Sequence, residues 1–152
     1  MAPKPMFIYG TLCAKPLLAW VLTGDANRVD DVKPLIAPAE AQNLARYALR
    51  GKDYPAAVRK EGVTTKGYLL QPATRSQRRK LNDFEGEIYR VENVTVKKLT
   101  GEETQADVYV WDGEEDGFDG EWDFEEFERE RLEDWLGLFE GMEMVGDDDD
   151  DQ

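Results

Sequence analysis

Two stretches of this 152-residue chain carry residue types that could do chemistry together. The first is FIYGTLC, Phe7 to Cys13, where three large apolar or aromatic residues run into Gly-Thr and the pattern then turns helical. A glycine at a strand-to-helix corner lets the backbone approach a ligand closely, and several amides can point into one concavity. Tyr9, Gly10, Thr11 and Leu12 are thus either an ordinary tight turn or a cradle for a carboxylate or oxyanion. The second stretch is LNDFEGEIYR, Leu81 to Arg90. A carboxylate at the end of an apolar helix, beside a helix-ending glycine, meets the carbonyl end of the helix, which disfavours an anion. Glu85 in that place should have a raised pKa, more so if it faces a pocket, and would suit a general base or acid. Asp83 and Glu87 lie close by, and spacing alone does not say which of the three faces inward.

An absence narrows the chemistry further. The chain has no histidine and one cysteine, which excludes Ser-His-Asp and Cys-His catalysis, His-ligated metals and thiolate zinc sites. What remains is carboxylate, tyrosine, lysine, backbone amide, or Cys13 alone. Cys13 follows a helix start, which lowers a thiol pKa, but no partner base can be named for it and a packing role is the reading favoured. No metal and no cofactor is expected.

The elements that must position these residues read as follows. Met6 to Tyr9 is a short buried strand. Leu17 to Leu22 forms a helix with Pro16 in its first turn and Gly24 as its stop. Asp25 to Pro38 is an irregular connection with a short strand, and Ala39 to Arg50 is open between helix and strand. Ala56 to Arg59 and Thr64 to Gln71 are two strands joined by a turn around Gly62. Thr74 caps a helix over Arg75 to Phe84, which Gly86 ends. Val91 to Leu99 and Thr104 to Trp111 form a hairpin turning at Thr100-Gly101. After the acidic loop Asp112 to Gly120, Asp123 and Glu126 make a capping-box-like start to one helix running to about Glu140, with Phe127, Leu132, Trp135, Leu136 and Phe139 as its inner stripe. The order implies a small mixed α+β fold with a mainly antiparallel, barrel-like sheet and flanking helices.

Composition bounds the rest. A hydrophobic fraction of 41% and aromatic fraction of 11% are globular values, and the length suits one domain, taken as residues 1–145. Net charge of −14 argues against nucleic acid as a partner. The run Asp147 to Asp151 repels itself, so 146–152 is expected to be a disordered acidic tail. MAPKPMFIYG has no long apolar run before a cleavage site, and no window reaches the roughly 18 apolar residues of a membrane span. The expectation is a cytoplasmic protein that does not engage membranes, consistent with its single cysteine; its oligomeric state is left open.

Jointly, FIYGTL at 7–12, DYPAAV with KGYLL at 53–70, LNDFEGEIYRVENVTV at 81–96 and ADVYVW at 106–111 resemble the gamma-glutamylcyclotransferase-like superfamily, in the family's own order. The AIG2-like branch, near the gamma-glutamylamine cyclotransferases, is the most similar, and GEWDFEEFERERL at 120–132 is similar to the closing helix of its plant members. The resemblance implies a barrel-like sheet around one cavity. It implies that the Tyr9–Leu12 loop offers amides to a γ-glutamyl substrate. Glu85 then acts as general base on the substrate α-amine, which attacks its own γ-carbonyl and yields 5-oxoproline plus a free amine or amino acid. Tyr89 matches a tyrosine that follows the catalytic glutamate in related enzymes, and Tyr54 either lines the cavity or packs a turn. Where the family has small or polar residues after YGTL, this chain has Cys-Ala-Lys-Pro, which bears on the leaving amine. The alternative is a non-catalytic ligand-binding or stress-response protein of the same fold; a third reading is a tailoring step on an unusual γ-glutamyl metabolite.

Overall fold

A computed structural model describes residues 4–85, 89–113 and 117–139. Five strands close a barrel in the order β1-β3-β2-β4-β5. They are β1 (Met6–Ile8), β2 (Ile36–Ala48), β3 (Pro55–Leu70), β4 (Tyr89–Lys98) and β5 (Glu103–Trp111). Every pairing is antiparallel except the β1–β5 contact at Met6 and Asp107, which closes the ring. The helices are α1 (Lys15–Thr23), α2 (Val29–Val32), α3 (Arg75–Glu85), α4 (Phe124–Glu130) and α5 (Leu132–Phe139). The α+β barrel expected from the sequence is therefore the architecture found.

Strand alternation divides the core in two. Phe7 and Tyr9 point into the barrel with Ala39, Ala41, Leu44, Val96 and Val108. Met6 and Ile8 point outward, onto Leu17, Leu18, Val21 and Leu81 of the helices. A five-stranded barrel is narrow, so its interior takes alanines and valines around a few larger side chains.

That geometry settles the open segment: residues 36–48 are strand. Ala39, Ala41 and Ala45 favour a helix in isolation, but β2 pairs with both β3 and β4, and its small inward residues fit the barrel. The connection before it holds α2 and a 3₁₀ turn (Lys33–Leu35), because Val29, Val32 and Leu35-Ile36 recur at a helical rather than a strand interval. The two strands around Gly62 are one strand with an irregularity, where pairing jumps from Gln42–Thr64 to Leu44–Arg59. Asn43 and Gly62 both adopt positive φ there, and Asn43 Oδ1 accepts the Gly62 N–H at 2.9 Å.

The terminal helix is two helices. Asp123 caps α4 through the Glu126 N–H at 3.1 Å, as its spacing suggests. At Arg131 the chain leaves helical geometry (φ −121°, ψ −19°). α5 then turns so that Trp135 packs on Phe84 and Tyr54. Gly86, Glu87, the Phe139 side chain and the acidic tail lie outside the described residues.

Candidate active site

The corner after β1 is built by a 3₁₀ turn, Thr11–Cys13, before α1 begins. Cys13 and Ala14 donate back to Gly10 and Thr11 carbonyls, both at 3.0 Å, so the Thr11 and Leu12 N–H groups have no acceptor within the turn. Gly10 leaves little space for a side chain: a Cβ there would sit 3.0 Å from Cγ and Cδ of Pro55. α1 is then stopped by Gly24 in the left-handed region, whose N–H bonds Trp20 O.

Opposite this corner, Thr74 caps α3 through the Gln77 N–H at 3.2 Å. Eleven residues on, α3 delivers Glu85 to a cavity lined by Phe7, Tyr9, Gly10, Thr11, Leu12, Tyr54, Pro55, Glu85, Tyr89 and Tyr109 together with Ile8. Tyr9, Gly10, Thr11, Leu12, Tyr54, Glu85 and Tyr89 thus border one cavity. Of the two alternatives to Glu85, Asp83 is exposed and Glu87 lies outside the described residues. Tyr54 lines the cavity and packs edge-on to Trp135 of α5. The wall that carries it is pinned by Asp53: the carboxylate accepts from Trp135 Nε1 at 2.9 Å and Arg131 Nε at 3.1 Å. Its carbonyl accepts from Trp122 Nε1 at 2.8 Å.

Burial pushes the Glu85 carboxyl from the ordinary range up to about 8. The carboxyl sits among apolar and aromatic walls, and among the described residues no lysine or arginine pairs with it. The phenols of Tyr9, Tyr89 and Tyr109 are all pushed up, first by burial and then in part by the nearby charge of Glu85. Each of those hydroxyls is also committed as a donor. Tyr89 Oη donates to Pro55 O at 2.8 Å and Tyr9 Oη to Tyr109 O, since a carbonyl can only accept. Tyr109 Oη donates to Asn82 Oδ1, an oxygen that also accepts from Arg78 Nε at 3.3 Å. With their protons directed to these acceptors, the Tyr9 and Tyr89 oxygens keep lone pairs free to accept. The cavity lining therefore combines a carboxyl, tyrosine acceptors and the backbone of the Gly10–Leu12 corner.

Tyr109, Asn82 and Pro55 were not singled out in the sequence. Tyr109 falls on the opposite parity to Val108 and Val110, hence outside the barrel interior; only the closure of β5 against β1 shows that this face reaches the cavity. Cys13 borders none of it. Its Sγ lies 3.5 Å from Ile8 O, and burial pushes its thiol up to about 12 despite Arg46 and Lys15. Native protein should therefore react with iodoacetamide at neutral pH at least ~100-fold more slowly than urea-unfolded protein; equal rates would contradict the buried placement. Among the described residues no cluster of three or more acidic or cysteine side chains converges as a metal site would, and no helix is long and apolar enough to cross a membrane.

Known proteins are similar to this chain in sequence and in fold. The family model for "Gamma-glutamyl cyclotransferase, AIG2-like" matches residues 6–135. AIG2-like protein D of Arabidopsis thaliana is 31% identical over 136 residues, covering 88% of this chain and 84% of that protein. Among solved structures, the solution structure of an Arabidopsis thaliana protein superposes with a TM-score of 0.64 at 26% identity, covering 90% of this chain and 87% of that one. A gamma-glutamyl cyclotransferase structure superposes with a TM-score of 0.51 at 18% identity, covering 77% and 69%, a likeness of fold. The match runs from the first strand to α5 and takes in both the corner and the glutamate, so the chain belongs to the gamma-glutamyl cyclotransferase, AIG2-like family.

Proposed function

We propose that the protein is a cyclotransferase for γ-glutamyl amines or γ-glutamyl amino acids, with Glu85 as general base. The observation that carries this reading is the Glu85 carboxyl, with no lysine or arginine pairing with it among the described residues, lining one cavity together with the backbone of the Gly10–Leu12 corner. The substrate α-ammonium docks on Glu85 and the acceptor oxygens of Tyr89 and its neighbours. Glu85 takes a proton, and the freed amine nitrogen attacks the γ-carbonyl carbon. One C–N bond forms to close the ring, and negative charge on the carbonyl oxygen is held by amides of the Gly10–Leu12 corner. The γ-amide C–N bond then breaks as Glu85 hands its proton to the leaving nitrogen, and the extra proton on the ring nitrogen follows through the same carboxylate, so the amine departs as an ammonium and the lactam nitrogen is neutral. Because the reaction is intramolecular, folding the substrate onto itself supplies much of the acceleration, and a small site with neither histidine nor metal ligands suffices.

The test is a panel of γ-glutamyl amines and γ-glutamyl amino acids incubated with purified protein, reading 5-oxoproline and the free amine in equal amounts. Release from at least one member is the expected result. A panel that stays inert, with no binding of 5-oxoproline, would favour the non-catalytic alternative.

A further inference from the structure

Arg46 reaches the cavity's donor loop from behind. It lies on β2 opposite Ala57, is half-buried, and borders the groove shared with Trp122 and Lys66 rather than the Glu85 cavity. Its Nη1 donates to the carbonyl of Tyr9 at 2.8 Å and more weakly to that of Lys66 at 3.5 Å. The guanidinium carbon stands 5.4 Å over the Trp122 ring, and Trp122 is itself buried and bonded to the Asp53 carbonyl. Among the described residues no carboxylate forms an ion pair with Arg46, so a charged, planar group is committed to backbone carbonyls, that of Tyr9 at the shorter distance, and to one aromatic face.

The Tyr9 carbonyl belongs to the peptide joining Tyr9 to Gly10. The chain has no cis bonds among the described residues, and in a trans peptide the C=O and the following N–H point in opposite directions. A cation holding the Tyr9 carbonyl outward thereby turns the Gly10 N–H the other way, toward the cavity that Gly10 lines. The same contact polarises the peptide, so the amide becomes a stronger donor. We infer that Arg46, seated on Trp122, is a positioning residue that aims the Gly10 amide at an anionic or carbonyl oxygen of the ligand. The ligand's identity rests on the cyclotransferase reading; the orientation of the amide does not.

The experiment follows the Gly10 amide in ¹⁵N-labelled protein and titrates 5-oxoproline calorimetrically in wild type, Arg46→Gln and Arg46→Lys. In ligand-free protein the Gly10 resonance should move in Arg46→Gln more than those of amides equally distant from residue 46. Affinity should fall about tenfold, while the Glu85 carboxyl titration is unmoved. Arg46→Lys keeps one charged donor but loses the planar stack, and should recover part of both; it also serves if the Gln variant fails to fold. Wild-type affinity in Arg46→Gln, or an unmoved Gly10 amide, overturns the assignment. If wild type binds no 5-oxoproline and the substrate panel is inert, the cyclotransferase reading fails, and the ligand-free Gly10 shift alone decides the role of Arg46.

Discussion

Glu85→Gln is expected to reduce 5-oxoproline release by about 10²–10⁴-fold, the usual contribution of a positioned general base. Glutamine keeps the shape and a hydrogen-bonding oxygen but cannot accept the ammonium proton, so KM should change far less than kcat. The pH dependence follows from burial. With the carboxyl held up at about 8, kcat/KM should rise about tenfold per unit as pH approaches that value and then level. The kcat profile should level at lower pH, because a bound ammonium favours the carboxylate. Stability carries the same signature with a definite sign. The folded protein keeps the Glu85 proton from about pH 4.5 to about 8, while the unfolded chain has already released it. The native state thus binds more protons there, and stability falls as pH rises through that window. The Gln variant lacks this loss. Relative to wild type it should gain on the order of 2–4 kcal/mol between pH 5 and pH 8, the residual solvent access of a half-buried group keeping the figure below the full shift. Urea midpoints at the two pH values check this. A variant that is inactive yet shows no such gain would mean that burial does not govern Glu85, and full activity in the variant would remove it from the mechanism.

The same burial explains why parts of the site could be read from sequence and parts could not. Glu85 stood out because a carboxylate at the carbonyl end of a helix is disfavoured whatever the fold, and the Tyr9–Leu12 corner stood out because a strand ran into glycine. Local chemistry also marked Thr74, Gly24, Asp123 and the hairpin at Gly101. What stayed hidden depended on closure of the barrel. The alanines of β2 became strand because two neighbours required it, and Tyr109 and Arg46 acquired their roles from strands distant in sequence. The break at Arg131 is of the same kind. The residue is a good helix former, but its side chain is drawn to Asp53 as well as Asp134, a partner 78 positions away. The cause expected for the raised Glu85 pKa also shifted in emphasis: burial in the cavity is the source, more than the carbonyl end of α3.

Gly67→Ala is expected to cost at least about 3 kcal/mol, a severe overpacking. Gly67 lies in β3 opposite Ala39, and its φ is not in the left-handed region, so the added methyl group meets no conformational penalty. It meets matter. A Cβ there would stand 2.2 Å from the carbonyl oxygen of Ile8 and 2.9 Å from Cζ of Phe7. Neither can yield cheaply: Ile8 is in the β1–β3 ladder and accepts from Cys13, while Phe7 is fully buried in the barrel. Relief requires β1 to move off β3, and the next residue along β1 is Tyr9, so the donor corner must move with it. Gly62→Ala, in the same strand, separates this cause from backbone strain. Gly62 has φ +85° with nothing within 4 Å of a Cβ, so only the left-handed conformation is penalised, at about 1 kcal/mol. Thermal melts should therefore rank wild type above Gly62→Ala by a few degrees and above Gly67→Ala by roughly 10 °C. Only the Gly67 variant should lose 5-oxoproline affinity in the fraction that remains folded, because only there does the strain reach the corner that holds the ligand. Equal losses for the two variants would mean that β1 has room to shift, and the close approach of the two strands would then not be what fixes the corner.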